Sequence, residues 1–248
     1  MLPSGLSMLW ETADPDQALR NRFGWDGFDQ ATAWISTILA RTWGITSQDC
    51  RRLVISADNA IAWVQSDRGA LVIKWSRALP HFPGLAASTQ LLSWLGDRGL
   101  PVAAPVRSAG RDDRVVLDGP RGPLSVAVLP ELDGDWLDVG DASAVRAAGA
   151  SLAAVHLALQ WYTDTRLWRP AEAEPPDRRL RRWLADGEPD RARGATAHLA
   201  ELVTGLPPLD GRSQPVHNDF RAANILTRDG HVVGVLDFDE MAWDHPVS

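Results

Sequence analysis

From Phe28 onward the apolar residues Phe28, Ala31, Trp34, Ile35, Ile38, Leu39 and Trp43 recur at the spacing of one helix face, and Gly44 stands where a left-handed cap would end that helix. The period then falls to two. Arg52–Ser56, Ala60–Val64 and Ala70–Lys74 read as strands, the last two joined through Asp67-Arg68-Gly69, so an antiparallel sheet opens here. Helical spacing returns over Asp141–Tyr162, with Val145, Ala148, Leu152, Val155 and Leu159 on one face and Asp141 or Ser143 as N-cap. Arg178–Leu184 predicts a short basic helix whose charged face is solvated, after a linker over Pro170–Pro176. Near the end, Ile225-Leu226 and Val232–Leu236 are apolar strands around an Arg228-Asp229-Gly230 turn. Residues 1–27 mix Pro3, Gly5, Pro15, Gly24 and Gly27 among polar residues and predict an irregular lead-in.

Composition changes this picture in four places. A chain of 248 residues with 45% apolar content can bury a sizeable core. A net charge of −7 argues against a general nucleic-acid surface and suits neutral or cationic substrates. Cys50 stands alone, which excludes a disulfide framework and predicts a buried structural thiol. No run of 18 apolar residues and no basic segment leading into an apolar one is present, so a soluble cytoplasmic protein is expected. The twelve tryptophans are read mainly as core filling.

The basic residues are unusual. Of 25, all are arginine except Lys74, so the exception marks a position that arginine does not serve.

The candidate chemistry lies in His217-Asn218-Asp219-Phe220-Arg221-Ala222-Ala223-Asn224 and in Leu236-Asp237-Phe238-Asp239. An acid on a loop, an amide five residues later and a carboxylate on a following strand supply a base and two hard oxygen ligands. Phosphoryl transfer from a nucleotide needs that set, with Asp219 as base and Asn224 and Asp237 as ligands of Mg2+. Asp237 is taken as the metal carboxylate in preference to Asp239.

In order and spacing the pattern resembles protein kinases, and more closely the aminoglycoside phosphotransferase and choline kinase group, over residues 45 to 248. The resemblance implies an α+β, protein-kinase-like fold with a small antiparallel-sheet lobe at 45–129, a hinge at 130–134, a mainly helical lobe at 135–248 and an extension with one helix at 1–44. It makes Asp141–Tyr162 the first helix of the larger lobe. Leu91–Leu95 and Gly99–Val106 become the helix and Pro-bounded strand before the hinge.

The same resemblance places Lys74 on the α- and β-phosphates of ATP or GTP and Arg221 on the γ-phosphate. At the hinge the Pro130 carbonyl accepts from the base and the Leu132 N–H donates to it, and Leu226 also contacts the nucleotide. His156 is a structural histidine in this reading, and Trp243 is the tryptophan nearest the metal strand.

The chain departs from the family pattern at three points. The first turn of the sheet, Ser56–Ala60, has no glycine, and Asp58-Asn59 is expected to turn there in a left-handed conformation and offer N–H groups to phosphate. Ser88 stands where a helix glutamate pairs with the lysine. The sequence stops at Ser248, where the family continues into helices that shape the acceptor pocket. The reading is a Mg2+-dependent phosphotransferase acting on a hydroxyl of a small molecule, such as an aminoglycoside-like sugar, an amino alcohol or a natural-product intermediate. The alternatives are a kinase of peptide Ser or Thr and a nucleotide-binding partner without turnover.

Overall fold

A computed structural model describes residues 5–164, 176–186, 193–205 and 213–246. One layer is a six-stranded sheet in the order β1-β2-β3-β4-β6-β5. Its strands are β1 (Gly5–Met8), β2 (Ser47–Ile55), β3 (Asn59–Ser66), β4 (Gly69–Ser76), β5 (Val115–Gly119) and β6 (Gly122–Pro130). Alternation sorts the two faces of β4: Leu71, Ile73 and Trp75 are buried in the core, and Lys74 points the other way. The β5–β6 hairpin extends the sheet beyond the strands read from the sequence, and it ends at Pro130, where the hinge is expected.

Helices α1 (Pro15–Phe23) and α2 (Phe28–Ile38) contribute to the same core as this sheet. Trp25, Trp34 and Trp75 pack edge to face or tilted, with Phe23 beside Trp25 and Trp75. After Ile38 the helix widens into a π turn over Leu39–Trp43 and closes on Gly44 at φ 62°.

The irregular lead-in expected over residues 1–27 is corrected here. Gly5–Met8 pairs in parallel with Arg52–Ile55, and Asp14 caps α1 by accepting from Gln17 N at 2.8 Å, with Pro15 in the first turn and Gly24 at φ 87° closing it. These cap signals are local. The four half-buried residues of β1 show no alternation, and their partner lies more than forty positions away.

The second layer is built from α3 (Phe82–Gly96), α4 (Ala142–Leu159) and a small sheet, β7 (Asp135–Trp136), β9 (Ile225–Arg228) and β10 (His231–Val235), in the order β10-β9-β7. Leu91, Leu95, Val155, Leu159, Val235 and Phe238 join in a second core between these elements. Beside them run α5 (Pro176–Asp186), α6 (Arg193–Thr204) and the pair β8 (Gln214–Val216) and β11 (Ala242–Asp244).

Three details differ from the sequence reading. The apolar face of α4 runs through Ala144 rather than Val145, which is 42% exposed, because 144, 148, 155 and 159 lie closer to one helical stripe. Gly99–Val106 is not a strand; Val102 makes a single bridge to Val235, and Pro101 and Pro105 have no N–H for a ladder. Cys50 is half-buried, and burial raises its thiol to about 11. Residues 170–175 of the expected linker lie outside the described residues. By length and composition α4 is apolar enough to cross a membrane, although Val155 and Leu159 on it are buried in the second core.

Candidate active site

The loop after β8 is held from both ends. His217 is buried; its Nε2–H donates to the Leu236 carbonyl at 2.8 Å, and its Nδ1 accepts from Asp219 N at 3.3 Å. Acceptance at Nδ1 needs the neutral ring, whereas donation from Nε2–H does not. Burial lowers the His217 pKa and outweighs the Leu236 contact and the charges of Asp237 and Asp219, which act the other way. Between them Asn218 sits at φ 63°, a left-handed conformation that asparagine tolerates better than most residues.

Asn224 closes the loop through the short turn Ala222–Asn224. Its Nδ2 donates to Asp219 O at 2.9 Å and to Asp219 Oδ2 at 2.8 Å. That engages the amide nitrogen and turns the amide oxygen away from Asp219. The backbone of Asn224 is also fixed, its carbonyl accepting from Leu236 N at 2.8 Å. Arg221 is exposed, and its Nε lies 3.2 Å from Asp219 Oδ2.

Asp237 follows β10 with φ 62°, and the adjacent Phe238 is buried against the His217 ring. Lys74 reaches it across the gap between the two sheets: Nζ lies 2.8 Å from Asp237 Oδ1 and 2.6 Å from Asp239 Oδ2. The Lys74 side chain is only 16% exposed. Burial by itself would lower its pKa, but the charges of Asp239 and Asp237 and their hydrogen bonds prevail, and the net direction is upward. Asp239 mirrors this: burial pushes its carboxyl up, while Lys74 and Arg114 pull it down further.

Ser88 is buried, and its Oγ donates to Leu85 O at 3.1 Å within α3. The acid beside Lys74 therefore comes from the turn after β10, not from α3. Asp239 and Arg114 are the residues the sequence reading missed in this respect. The signal was available for Asp239: a lysine without its helix acid needs another anion, and Asp239 stands two residues from Asp237. Arg114 carries no local signal.

At the expected hinge, Pro130 pairs opposite Leu71, and Glu131 N donates to Ala70 O at 3.0 Å, while the Glu131 carboxylate pairs with Arg51. A Cβ on Gly234 would lie 2.8 Å from Leu132 Cδ1 and 3.3 Å from Leu226 Cδ1. Leu132 and Leu226 thus meet over a bare backbone.

Asn59 lies at the β2–β3 turn, where its carbonyl accepts from Ser56 N at 2.8 Å and Asp58 O accepts from Arg77 N at 2.9 Å. The left-handed turn expected there is corrected: neither Asp58 nor Asn59 has positive φ. The basic helix α5 is not wholly solvated, since Arg179 grips Asp244 of β11 through two bonds of 2.6 and 3.1 Å. His156 is half-buried, and burial lowers its pKa.

The sequence pattern of the phosphotransferase enzyme family matches residues 49–248. No curated protein sequence matches the chain at a significant level. Among solved structures, an amicoumacin kinase superposes with a TM-score of 0.60 at 17% identity, over 88% of this chain and 68% of that one. A spectinomycin phosphotransferase gives 0.59 at 13%, over 86% and 70%. A microcompartment-associated aminopropanol kinase gives 0.58 at 19%, over 87% and 71%. At these identities the likeness establishes the fold, α+β and kinase-like.

Proposed function

The chain belongs to the phosphotransferase enzyme family, and from that premise we propose that it transfers the γ-phosphoryl group of ATP to a hydroxyl of a small molecule. The observation that carries this reading is that Asp219, bonded to Asn224 and Arg221, and Asp237, bonded to Lys74, are held beside one another by the bonds of His217 and Asn224 to the Leu236 backbone.

Each side chain has a part that its surroundings support. Asn224 and Arg221 both engage Oδ2 of Asp219, which leaves Oδ1 for the acceptor. Asp219 orients the acceptor hydroxyl and takes its proton as the oxygen bonds to the γ-phosphorus and the bond to the β–γ bridging oxygen breaks, releasing ADP. Lys74 and Arg221 carry charge toward the phosphates. Leu132 and Leu226 form an apolar floor for the base, with the Pro130 carbonyl and the Leu132 N–H at its edge.

Among the described residues no group of three His, Cys, Asp or Glu is placed to hold a metal. The donors fit Mg2+ nonetheless, because that ion takes few protein carboxylates and relies on phosphate oxygens and water. Asn224 offers an amide oxygen, its nitrogen being engaged by Asp219, and Asp237 offers a carboxylate. The ion would neutralise charge on the phosphates.

The related structures favour a small acceptor. One is a complex with amicoumacin and another with spectinomycin. A partner without turnover is the reading that Ser88 and the glycine-free Ser56–Ala60 turn favour; Asp239 beside Lys74 supplies the acid that Ser88 does not, and so removes the first of these grounds. The test is a thermal shift with ATP and Mg2+, then a phosphorylation screen over hydroxyl compounds. ATP should raise the melting temperature and protect Lys74 from acylation, while the N-terminal amine stays reactive. A chain that ATP neither stabilises nor shields would end this reading.

A further inference from the structure

We propose that Asp239, held from behind by Arg114, is the positioning residue that fixes Lys74 for the nucleotide phosphates. It stands in for the helix glutamate that this chain lacks. The inference rests on the phosphotransferase reading and adds a part to it.

Asp239 uses its two oxygens differently. Oδ2 lies 2.6 Å from Lys74 Nζ, and Oδ1 lies 4.0 Å from Arg114 Nη2. The Arg114 side chain is 4% exposed. Its Nε donates to Thr89 Oγ1 at 2.9 Å, and its Nη1 donates to Ser125 O at 3.1 Å and Ser125 Oγ at 3.2 Å. A buried guanidinium whose donors meet fixed acceptors on α3 and β6 cannot swing, so its charge stays behind Asp239. The contacts run from Lys74 through Asp239 and Arg114 to Thr89, the neighbour of Ser88. Helix α3 therefore still reaches the lysine, through an arginine and a borrowed aspartate.

Asp237 also touches Lys74, but the two acids are not equivalent. An ammonium has three donors, and the two aspartates take two of them. When Asp237 turns to a metal ion, Asp239 is the anion that remains, because both of its oxygens face cations of the protein itself. This separates anchor from metal ligand and makes the two testable apart.

The experiment compares wild type, Asp239→Asn and Thr89→Val, each checked for an unchanged circular dichroism spectrum. In the nucleotide-free protein, acylation of Lys74 is read by peptide mass spectrometry against the N-terminal amine. ADP affinity is measured with Mg2+ and again in a chelator. Asp239→Asn should label about tenfold faster and bind ADP about tenfold more weakly, the worth of one hydrogen bond between charged groups. The loss should be the same with and without Mg2+, since a lysine–phosphate contact needs no metal. Thr89→Val, which touches only the far end of the strut, should move both readouts in the same direction by less. Combined with Asp239→Asn, it should add nothing.

A loss of affinity confined to Mg2+ would make Asp239 a metal ligand and overturn the proposal, as would unchanged labelling. Should wild type bind no ADP at all, the phosphotransferase reading falls, while the labelling comparison still judges the anchor.

Discussion

At Asp219 the structure gives a carboxylate steadied by an amide and a guanidinium on one oxygen. Asp219→Asn keeps the size and removes the proposed base, so turnover should fall by about 10² to 10⁴ while ATP affinity stays near wild type. Steady-state kinetics beside calorimetry would check this, and unchanged turnover would remove Asp219 from the mechanism. The neighbouring Asn218 is set by backbone rather than by chemistry. Its φ of 63° suits glycine better still, so Asn218→Gly should be close to neutral in denaturant melts. Asn218→Val, β-branched in a left-handed position, should cost about 1–2 kcal/mol. Both outcomes follow from the same dihedral, and a tolerated valine would mean the loop relaxes.

Among the elements, the β9–β10 hairpin and the segment after β6 lean on each other through Gly234. Gly234→Ala puts a methyl 2.8 Å from Leu132 Cδ1, so Leu132 must shift. Overpacking of this kind costs about 1–3 kcal/mol. Because Leu132 carries the N–H assigned to the base, the variant should also raise the KM for ATP more than it lowers kcat. At the other end of the chain, α1 depends on Asp14, which accepts from Gln17 N at 2.8 Å. Asp14→Ala should cost about 1 kcal/mol in stability. It should leave KM and kcat alone, since Ala18, Leu19 and Phe23 of α1 pack into the core on the face of the sheet opposite Lys74; an effect on kcat would show that this core reaches the site.

For the whole molecule, the pH dependence follows from two histidines. Burial lowers the pKa of His217 and of His156 from the ordinary 6.5, so the unfolded chain takes up protons that the folded chain refuses. Their contribution to stability is complete above pH 6.5 and is lost as pH falls from there through the folded values. Denaturant melts between pH 8 and about pH 5 should show this decline, His217 being buried neutral. His217→Gln, whose amide does not titrate, should flatten the slope and leave the part due to His156. Asp239, lowered from 3.8, enters only in a more acid range.

The sequence by itself determined what is written in neighbouring residues. The alternation in Ala70–Lys74 placed Lys74 opposite the core, the 3.6 period gave α2 and α4, and His217, Asp219, Asn224 and Asp237 stood in the order that the family uses. Each of these depends on backbone geometry within a few residues, so composition and spacing suffice. Tertiary structure decided the rest. β1 has no alternation of its own and exists by pairing with β2, and the stripe of α4 shifted by one residue because its buried side is chosen by what packs against it. Leu132 and Leu226 meet because Gly234 leaves room for both side chains. The partner of Lys74 lay 165 positions downstream of it at Asp239, with a buried arginine behind, and Ser88 could report only that the usual acid was missing. An ion pair acts through space and falls off with distance, so its partners are fixed by how the two sheets meet and not by any pattern along the chain.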